Sequence, residues 1–297
     1  MQFLIAGASG FLGRAWTESL RAQGHRVVTL VRRDPSGPDE SRWDPSAGRL
    51  DTSLVESADV VANLAGAGLV HVPWNESYRR TFLESRTTTT RTLAEAVAAS
   101  QRRPSFLAQN GISGYGDRGA TTITEHSPTD AEGFMADVTR QWEEAAAPAV
   151  DAGVRVAVMR TAVVLSKRGG ALKTMLPAFK AGVAGPLGPG TQYFATISLT
   201  DWLGAATYLA HSDGASGAYN LTGPEPSTNA QFTEQLAQAL HRPAKIRVPS
   251  FALRNPLVGP IGGEVLASQR IEPQRLLDEG FAFAHNDIHD RITDALR

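Results

Sequence analysis

A short apolar run, Phe3-Leu4-Ile5-Ala6, turns directly into Gly7-Ala8-Ser9-Gly10-Phe11-Leu12-Gly13, with glycine at every third position. The run reads as a buried strand, and the residues from Phe11 to Gln23 read as the helix that follows. Glycine permits the tight turn and lets backbone approach a pyrophosphate, while the helix N-terminus offers unpaired N–H groups and the positive end of a dipole. A second strand, Arg26 to Val31, comes after the helix. Strand, glycine turn, helix and strand in this order predict a dinucleotide site built from Gly7, Ala8, Ser9, Gly10, Phe11, Leu12 and Gly13.

The end of the second strand selects the dinucleotide. An NAD site ends this strand with Asp or Glu, which accepts hydrogen bonds from the ribose hydroxyls. Here Val31 is followed by Arg32 and Arg33. Guanidinium groups pair with a 2′-phosphate and stack on adenine. NADP(H) is therefore the expected cofactor.

With 297 residues the chain has room for a nucleotide-binding domain and a smaller lobe. A formal net charge of −1 gives no reason to expect nucleic acid or an anionic membrane as a partner. The absence of cysteine excludes disulfides, thiolate catalysis and Cys-based metal sites. No apolar stretch approaches the length of a membrane span, and the N-terminus reads as strand rather than leader, so a cytoplasmic location is expected. The expected partner is a small-molecule substrate, with aromatic compounds among the candidates, and the chain is expected to be a monomer or a homodimer.

Strands and helices alternate along the first half. Residues 59–66 form a buried strand ending in Leu64, Ala65 and Gly66, small enough at that end for backbone to lie against a cofactor. A long helix is expected from Asn75 to Ser100, a strand from Pro104 to Gln109, a helix from Phe134 to Ala152 and a strand from Val154 to Arg160. Nearly continuous apolar strands fit a parallel sheet covered on both faces. The expected fold is α/β, a Rossmann-type doubly wound parallel sheet with a smaller C-terminal substrate lobe. Residues 1–165, completed by part of 193–222, form the first domain; 166–192 and 223–297 form the lobe. Within the lobe, Asn229 to Leu240 and Gly263 to Glu279 read as helices.

Further motifs carry a resemblance. They include Trp43-Asp44-Pro45, Asn63-Leu64-Ala65-Gly66, Ser85-Arg86 with Thr89 and Arg91, Gly114-Tyr115-Gly116-Asp117, Trp142-Glu143, Arg160-Thr161 and Gly185-Pro186-Leu187-Gly188. Near the C-terminus come Ser268-Gln269-Arg270-Ile271-Glu272-Pro273, Arg275-Leu276-Leu277 and Gly280-Phe281. On these residues the chain resembles an extended, atypical short-chain dehydrogenase/reductase. More narrowly, it resembles the NAD(P)-binding epimerase family subgroup with its own C-terminal segment, of the DUF1731 type. The resemblance implies that Arg86 and Arg160 touch cofactor phosphate or a loop carbonyl.

Ordinary members of that superfamily pair a Ser or Thr with Tyr-x-x-x-Lys, whose tyrosine trades a proton with substrate during hydride transfer. The tyrosines here are 78, 115, 193, 208 and 219, and four residues beyond them stand Phe82, Gly119, Ile197, Ser212 and Gly223. Counting back from Glu143 puts Met135 and Thr139 at the tyrosine and lysine positions. Asn110 sits where the catalytic Ser or Thr would be. Asn110 and Tyr115 are the candidate catalytic residues, each as a hydrogen-bond donor to a carbonyl oxygen, and Ser113 lies close to the expected nicotinamide end. Thr196 and Ser198 replace the subgroup's usual Trp and His, which implies a remodelled substrate pocket. His285 and His289, with Asp287 and Asp290 nearby, read as a solvated face rather than a metal site; no metal is expected. His126 beside Glu125 reads as loop capping.

Three functions are compatible with this pattern. The first is an NADPH-dependent reductase acting on a quinone or other electron-poor conjugated carbonyl, where donors stabilise developing charge without a protein acid. The second is a catalytically silent NADP(H)-binding protein. The third is a nucleotide-sugar epimerase, which would need a base that the sequence does not show.

Overall fold

The computed structural model describes residues 1–69, 73–255 and 259–297. The first part of the chain runs β1 (Gln2–Ala6), α1 (Phe11–Ala22), β2 (Arg26–Val31), β3 (Glu40–Arg42), α2 (Thr52–Ser57), β4 (Val60–Asn63), α3 (Glu76–Ala99) and β5 (Ser105–Gly111). It continues through β6 (Thr122–Ile123), α4 (Phe134–Glu144), α5 (Ala147–Asp151), β7 (Val156–Thr161), β8 (Val163–Leu165), α6 (Gly170–Lys180), β9 (Thr196–Ser198), α7 (Leu199–His211) and β10 (Gly217–Leu221). Seven strands form one sheet in the order β10-β7-β5-β4-β1-β2-β3, and every pairing is parallel. The order reverses at β1, whose neighbours are β2 and β4. The fold is thus Rossmann-type α/β, as expected.

Alternation along the strands explains the two-sided cover. Phe3 and Ile5 point into one core with Trp16, Leu20, Trp202 and Leu209, side chains of α1 and α7. Leu4 and Ala6 point into the other with Leu93, Ala94 and Val97 of α3 and Ala146 and Ala149 near α5. Because both faces of the central strands are buried, those strands read as continuous apolar runs rather than as alternating ones. The long helix α3 lies within the expected bounds: Asn75 accepts a hydrogen bond from Tyr78 N as its N-cap, and Ser100 is its C-cap.

Two expectations are corrected. The helix expected from Phe134 to Ala152 is two helices. The chain bends at Ala145–Ala146, and Pro148, which has no N–H to donate, sits at the start of α5. The helix expected from Gly263 to Glu279 is replaced by α10 (Ile261–Glu264), β11 (Arg270–Ile271) and α11 (Gln274–Asp278). Here tertiary pairing overrides local propensity: β11 forms a parallel ladder with β6, Glu272 N donates to Ile123 O at 2.9 Å, and Pro273 caps the next helix. The edge strand β3 carries no apolar signal and was not foreseen.

A third core is built from elements that follow β7. Leu165, Leu172, Leu176 and Phe179 pack with Phe232 and Leu236 of α8 (Asn229–Leu240) and with Ile292 and Ala295 of α12 (Ile288–Leu296). Helix α8 spans the expected residues, opened by a capping box between Thr228 and Gln231. The short α9 (Ser250–Leu253) precedes α10. Arg291 of α12 is 1 % exposed and reaches out to the carbonyls of Thr196 and Glu225, at 2.8 and 2.5 Å, and to Thr196 Oγ1 at 2.8 Å. Burial lowers its pKa to about 10, so it stays a cation near neutral pH. Replacing Arg291 by Met should cost about 3 kcal/mol, because it removes a buried charged donor that bonds Thr196 Oγ1 and the Thr196 and Glu225 carbonyls at once. Urea denaturation checks this against Arg26→Met, an exposed position where the change should stay within about 0.5 kcal/mol.

Candidate functional site

The order reversal at β1 opens a crevice beyond the carboxyl ends of β1 and β4, where doubly wound sheets bind ligands. Its floor is the glycine turn. Gly7 has φ +83°, in the left-handed region, and a Cβ there would collide with Leu64 C and Ala65 N; a Cβ on Gly13 would collide with Gly7 O. The turn closes by a bond from Gly10 N to Gly7 O at 3.0 Å. Helix α1 then begins with no side-chain cap and no acidic residue in its first turn. Its first N–H groups are left for an anion.

A groove of about 1680 Å³ runs over this turn. Of the residues expected to bind cofactor, Gly7, Ala8, Ser9, Gly10, Arg32, Arg33, Leu64, Ala65 and Gly66 line it; Phe11, Leu12 and Gly13 lie beneath, in the start of α1. The loop after β4 is held in place by α3. Asn63 Nδ2 donates to Thr89 Oγ1 at 3.1 Å and Thr90 Oγ1 at 2.8 Å, while Asn63 Oδ1 accepts from Ala65 N at 3.0 Å. Ser85 Oγ accepts from Ala67 N at 2.9 Å. Arg86 donates to Ala67 O at 3.1 Å and to Phe82 O at 3.0 Å, with its guanidinium 3.5 Å from the Phe82 ring centroid. Burial lowers the Arg86 pKa to about 10. The Ser-Arg and Thr signals of the sequence are thus the bolts that set the loop.

The two arginines after β2 differ. Arg33 grips Glu40 through both terminal nitrogens, at 2.7 and 2.6 Å, and this hydrogen bonding holds the Glu40 carboxyl down to about 2. Arg32 is exposed and makes no hydrogen bond or ion pair with the described residues, so its guanidinium is the unengaged one at the strand end.

Arg160 lies elsewhere, in a polar chain at the carboxyl ends of β5 and β7. Its guanidinium meets Glu143 Oε1 at 2.8 Å and Oε2 at 3.1 Å, and donates to the Tyr115 hydroxyl at 2.8 Å. Tyr115 in turn donates to Asn220 Oδ1 at 2.8 Å. Its environment raises the phenol pKa: burial pushes it up, against the opposing effect of Arg160. Asn110, 2 % exposed, donates to Thr139 O at 3.0 Å and Glu143 Oε2 at 3.2 Å, and accepts from Gly111 N at 2.8 Å. Arg160 does not line the large groove; with Asn110 and Tyr115 it borders a separate cavity of about 190 Å³. Met135 and Thr139 share one face of α4, Thr139 against Asn110 and Met135 in an apolar cluster with Trp74, Phe82 and Ile261.

The histidines fall out differently from expectation in one case. His285 is not on a solvated face: its Nδ1 lies 3.0 Å from Ser198 Oγ and 3.5 Å from Asp201 Oδ2, at the cap of α7. His289 is exposed and contacts Gln235. Glu125 is drawn inward, accepting from Asn220 N at 3.0 Å and Arg275 N at 3.4 Å, and burial raises its pKa. The sequence reading missed Glu264, which accepts a short hydrogen bond from Ser113. Its only signal was a carboxylate among glycines and apolar residues in a segment expected to be an ordinary amphipathic helix.

Residues 3–221 match the NAD dependent epimerase/dehydratase family, and residues 248–295 match the domain of unknown function DUF1731. An epimerase family protein of Mycobacterium leprae is 37% identical over 98% of this chain and 94% of its own length. The crystal structure of human epimerase family protein SDR39U1 with NADPH superposes with a TM-score of 0.91 at 30% identity, covering 99% of each chain. A nucleoside-diphosphate sugar epimerase from Corynebacterium glutamicum gives 0.81 at 36% identity, covering 100% of this chain and 58% of that one. Among the described residues, no helix is long and apolar enough to cross a membrane.

Tyr115→Phe tests the role of the polar chain. It should lower stability by about 1–2 kcal/mol, since Arg160 and Asn220 each lose a buried partner. Thermal denaturation of the variant beside the parent checks it.

Proposed function

The chain belongs to the NAD-dependent epimerase/dehydratase family, and from that premise we propose that it is an NADPH-dependent oxidoreductase of the short-chain dehydrogenase/reductase superfamily. We infer further that it reduces a small aromatic acceptor, a quinone or another electron-poor conjugated carbonyl. The observation that carries the cofactor choice is the unengaged Arg32 at the end of β2, over a glycine turn and an uncapped helix start. A cation at that position attracts a 2′-phosphate, and the human relative crystallised with NADPH supports the same reading. When bound, the cofactor supplies hydride. The chain supplies the cradle: Gly7 to Gly13 for the pyrophosphate, Arg32 for the 2′-phosphate, and the Leu64–Gly66 loop as a wall.

The substrate class rests on what the site has near its reacting end. No tyrosine of the chain is followed four residues later by lysine, so the superfamily's usual proton donor has no counterpart. Quinones and conjugated carbonyls stabilise the negative charge left after hydride addition and need less from a protein acid. The aromatic cluster of Trp74, Tyr78, Phe82 and Phe134 borders Ala67 of the groove loop and suits a flat acceptor.

Two measurements test this. Anaerobic NADPH consumption against matched panels of quinones and simple ketones should show turnover with the quinones. Binding without consumption by any acceptor would favour a silent NADP(H)-binding protein, and interconversion of a nucleotide sugar would favour an epimerase. For the cofactor, Arg32→Glu should weaken NADPH at least tenfold while changing NADH much less, and Arg33→Glu should cost NADPH less than Arg32→Glu because Glu40 already engages Arg33. Fluorescence titration of each variant with both nucleotides reads the ratio; equal losses for NADPH and NADH would overturn the 2′-phosphate assignment.

A further inference from the structure

Every group near the reacting end that was expected to donate to a carbonyl is already engaged. Both sides of the Asn110 amide and the Tyr115 hydroxyl proton are committed to internal hydrogen bonds. One acidic group is placed differently. Glu264 ends α10, and its Oε2 accepts from Ser113 Oγ in the turn that follows β5. β5 is the neighbour of β4, so Ser113 stands at the carboxyl edge of the sheet on the same side as the Leu64–Gly66 loop.

The pair does not line the groove itself and is joined to the groove loop through packing. Ile261, one turn before Glu264, packs in the cluster with Trp74, Phe82 and Met135, and that cluster reaches Ala67 in the cofactor groove. Trp74 in the same cluster is 7 % exposed, and its indole N–H has no partner among the described residues. The segment carrying Glu264 is pinned just after it. Gln192 Nε2 donates to Val265 O at 3.1 Å, Ser268 Oγ to Gly119 O at 2.6 Å, and Gln269 Nε2 to Ile112 O at 3.2 Å beside Ser113. Burial raises the Glu264 pKa above its ordinary value, with the Ser113 bond opposing.

We propose that Glu264 and Ser113 form the proton-donating pair of the reductase, supplied by the C-terminal segment in place of a tyrosine and lysine. The assignment rests on the reductase reading above. The acceptor carbonyl breaks its C=O π bond as its carbon, or the conjugated carbon, takes hydride from the reduced nicotinamide. With Glu264 protonated, the Ser113 hydroxyl turns from Glu264 Oε2 toward the acceptor oxygen, gives its proton there and takes one from the Glu264 carboxyl. Glu264 is left as a carboxylate and is reprotonated by water. A proton and a hydride are delivered, the acceptor is reduced by two electrons, and the nicotinamide is oxidised by two.

Glu264→Gln and Ser113→Ala test the pair, with conjugated ketones and quinones as acceptors under anaerobic conditions. Each variant should lower kcat roughly 100-fold on the ketones, the scale of a lost general acid, and less on quinones, while NADPH affinity by titration stays within about twofold. In the parent, kcat should be highest below the Glu264 pKa and fall as pH rises through it, since only the protonated carboxyl can give a proton; Glu264→Gln should remove that limb. Glu264→Asp and Ser113→Thr should recover part of the rate. A carboxyl ¹³C NMR titration, read as the difference between parent and Glu264→Gln, should find Glu264 titrating above the ordinary range. Variants that bind NADPH and turn over at the parent rate with the same pH limb would overturn this assignment alone. Absence of NADPH consumption by the parent with any acceptor would overturn the reductase reading and this assignment with it.

Discussion

The groove depends on the close approach of two pieces of backbone, the turn after β1 and the loop after β4, with no room for a side chain between them. At Gly7 a Cβ would occupy the space of Leu64 C and Ala65 N, and at Gly13 it would occupy that of Gly7 O. Everything else around the groove is arranged to keep that approach intact. Asn63, Ser85, Arg86 and Thr89 fasten the loop to α3, and Thr90 also takes a bond from Trp142 Nε1 at 2.9 Å, which joins α4 to the same assembly. A dinucleotide site of this kind is backbone held in position, and side chains act at one remove by holding it.

The same economy explains why the polar chain at the carboxyl ends of β5 and β7 lies deep in the fold. Arg160, Glu143, Tyr115, Asn110 and Asn220 satisfy one another in a region where an unpaired donor would be costly. A guanidinium and a carboxylate that meet through two bonds, one shared with a phenol, leave little capacity for a ligand. Chemistry in that neighbourhood falls to groups brought from another part of the chain.

Legibility followed the range of the interactions. Helix α8, with its capping box, and α3, with Asn75 and Ser100 at its ends, are specified by neighbouring residues and fall where the sequence puts them. The central parallel strands are equally plain, because burial on both faces writes them as apolar runs. The segment from Gly263 to Glu279 reads as one helix in the sequence because its geometry is decided by a ladder to β6, some 150 residues earlier by number. Arg33 looked like a phosphate ligand equal to Arg32; the difference comes from Glu40, on an edge strand with no apolar pattern to reveal it. Glu264 was invisible for the same reason: its meaning lies in Ser113, 151 positions away in the chain.

The composition of the lobe core has a consequence for the order in which the molecule is made. Leu165 to Phe179 must wait for Phe232 and Leu236, and then for Ile292 and Ala295, before their apolar faces are covered. The main sheet also lacks its outer strand until residues 217–221 arrive beside β7. Contacts of such long sequence separation are slow to close, since the entropy of the intervening chain is lost before they form. The face of the sheet carrying Phe3 and Ile5 likewise waits for Trp202 and Leu209 of α7. Both the sheet and the later core are thus closed by residues from Leu199 onward.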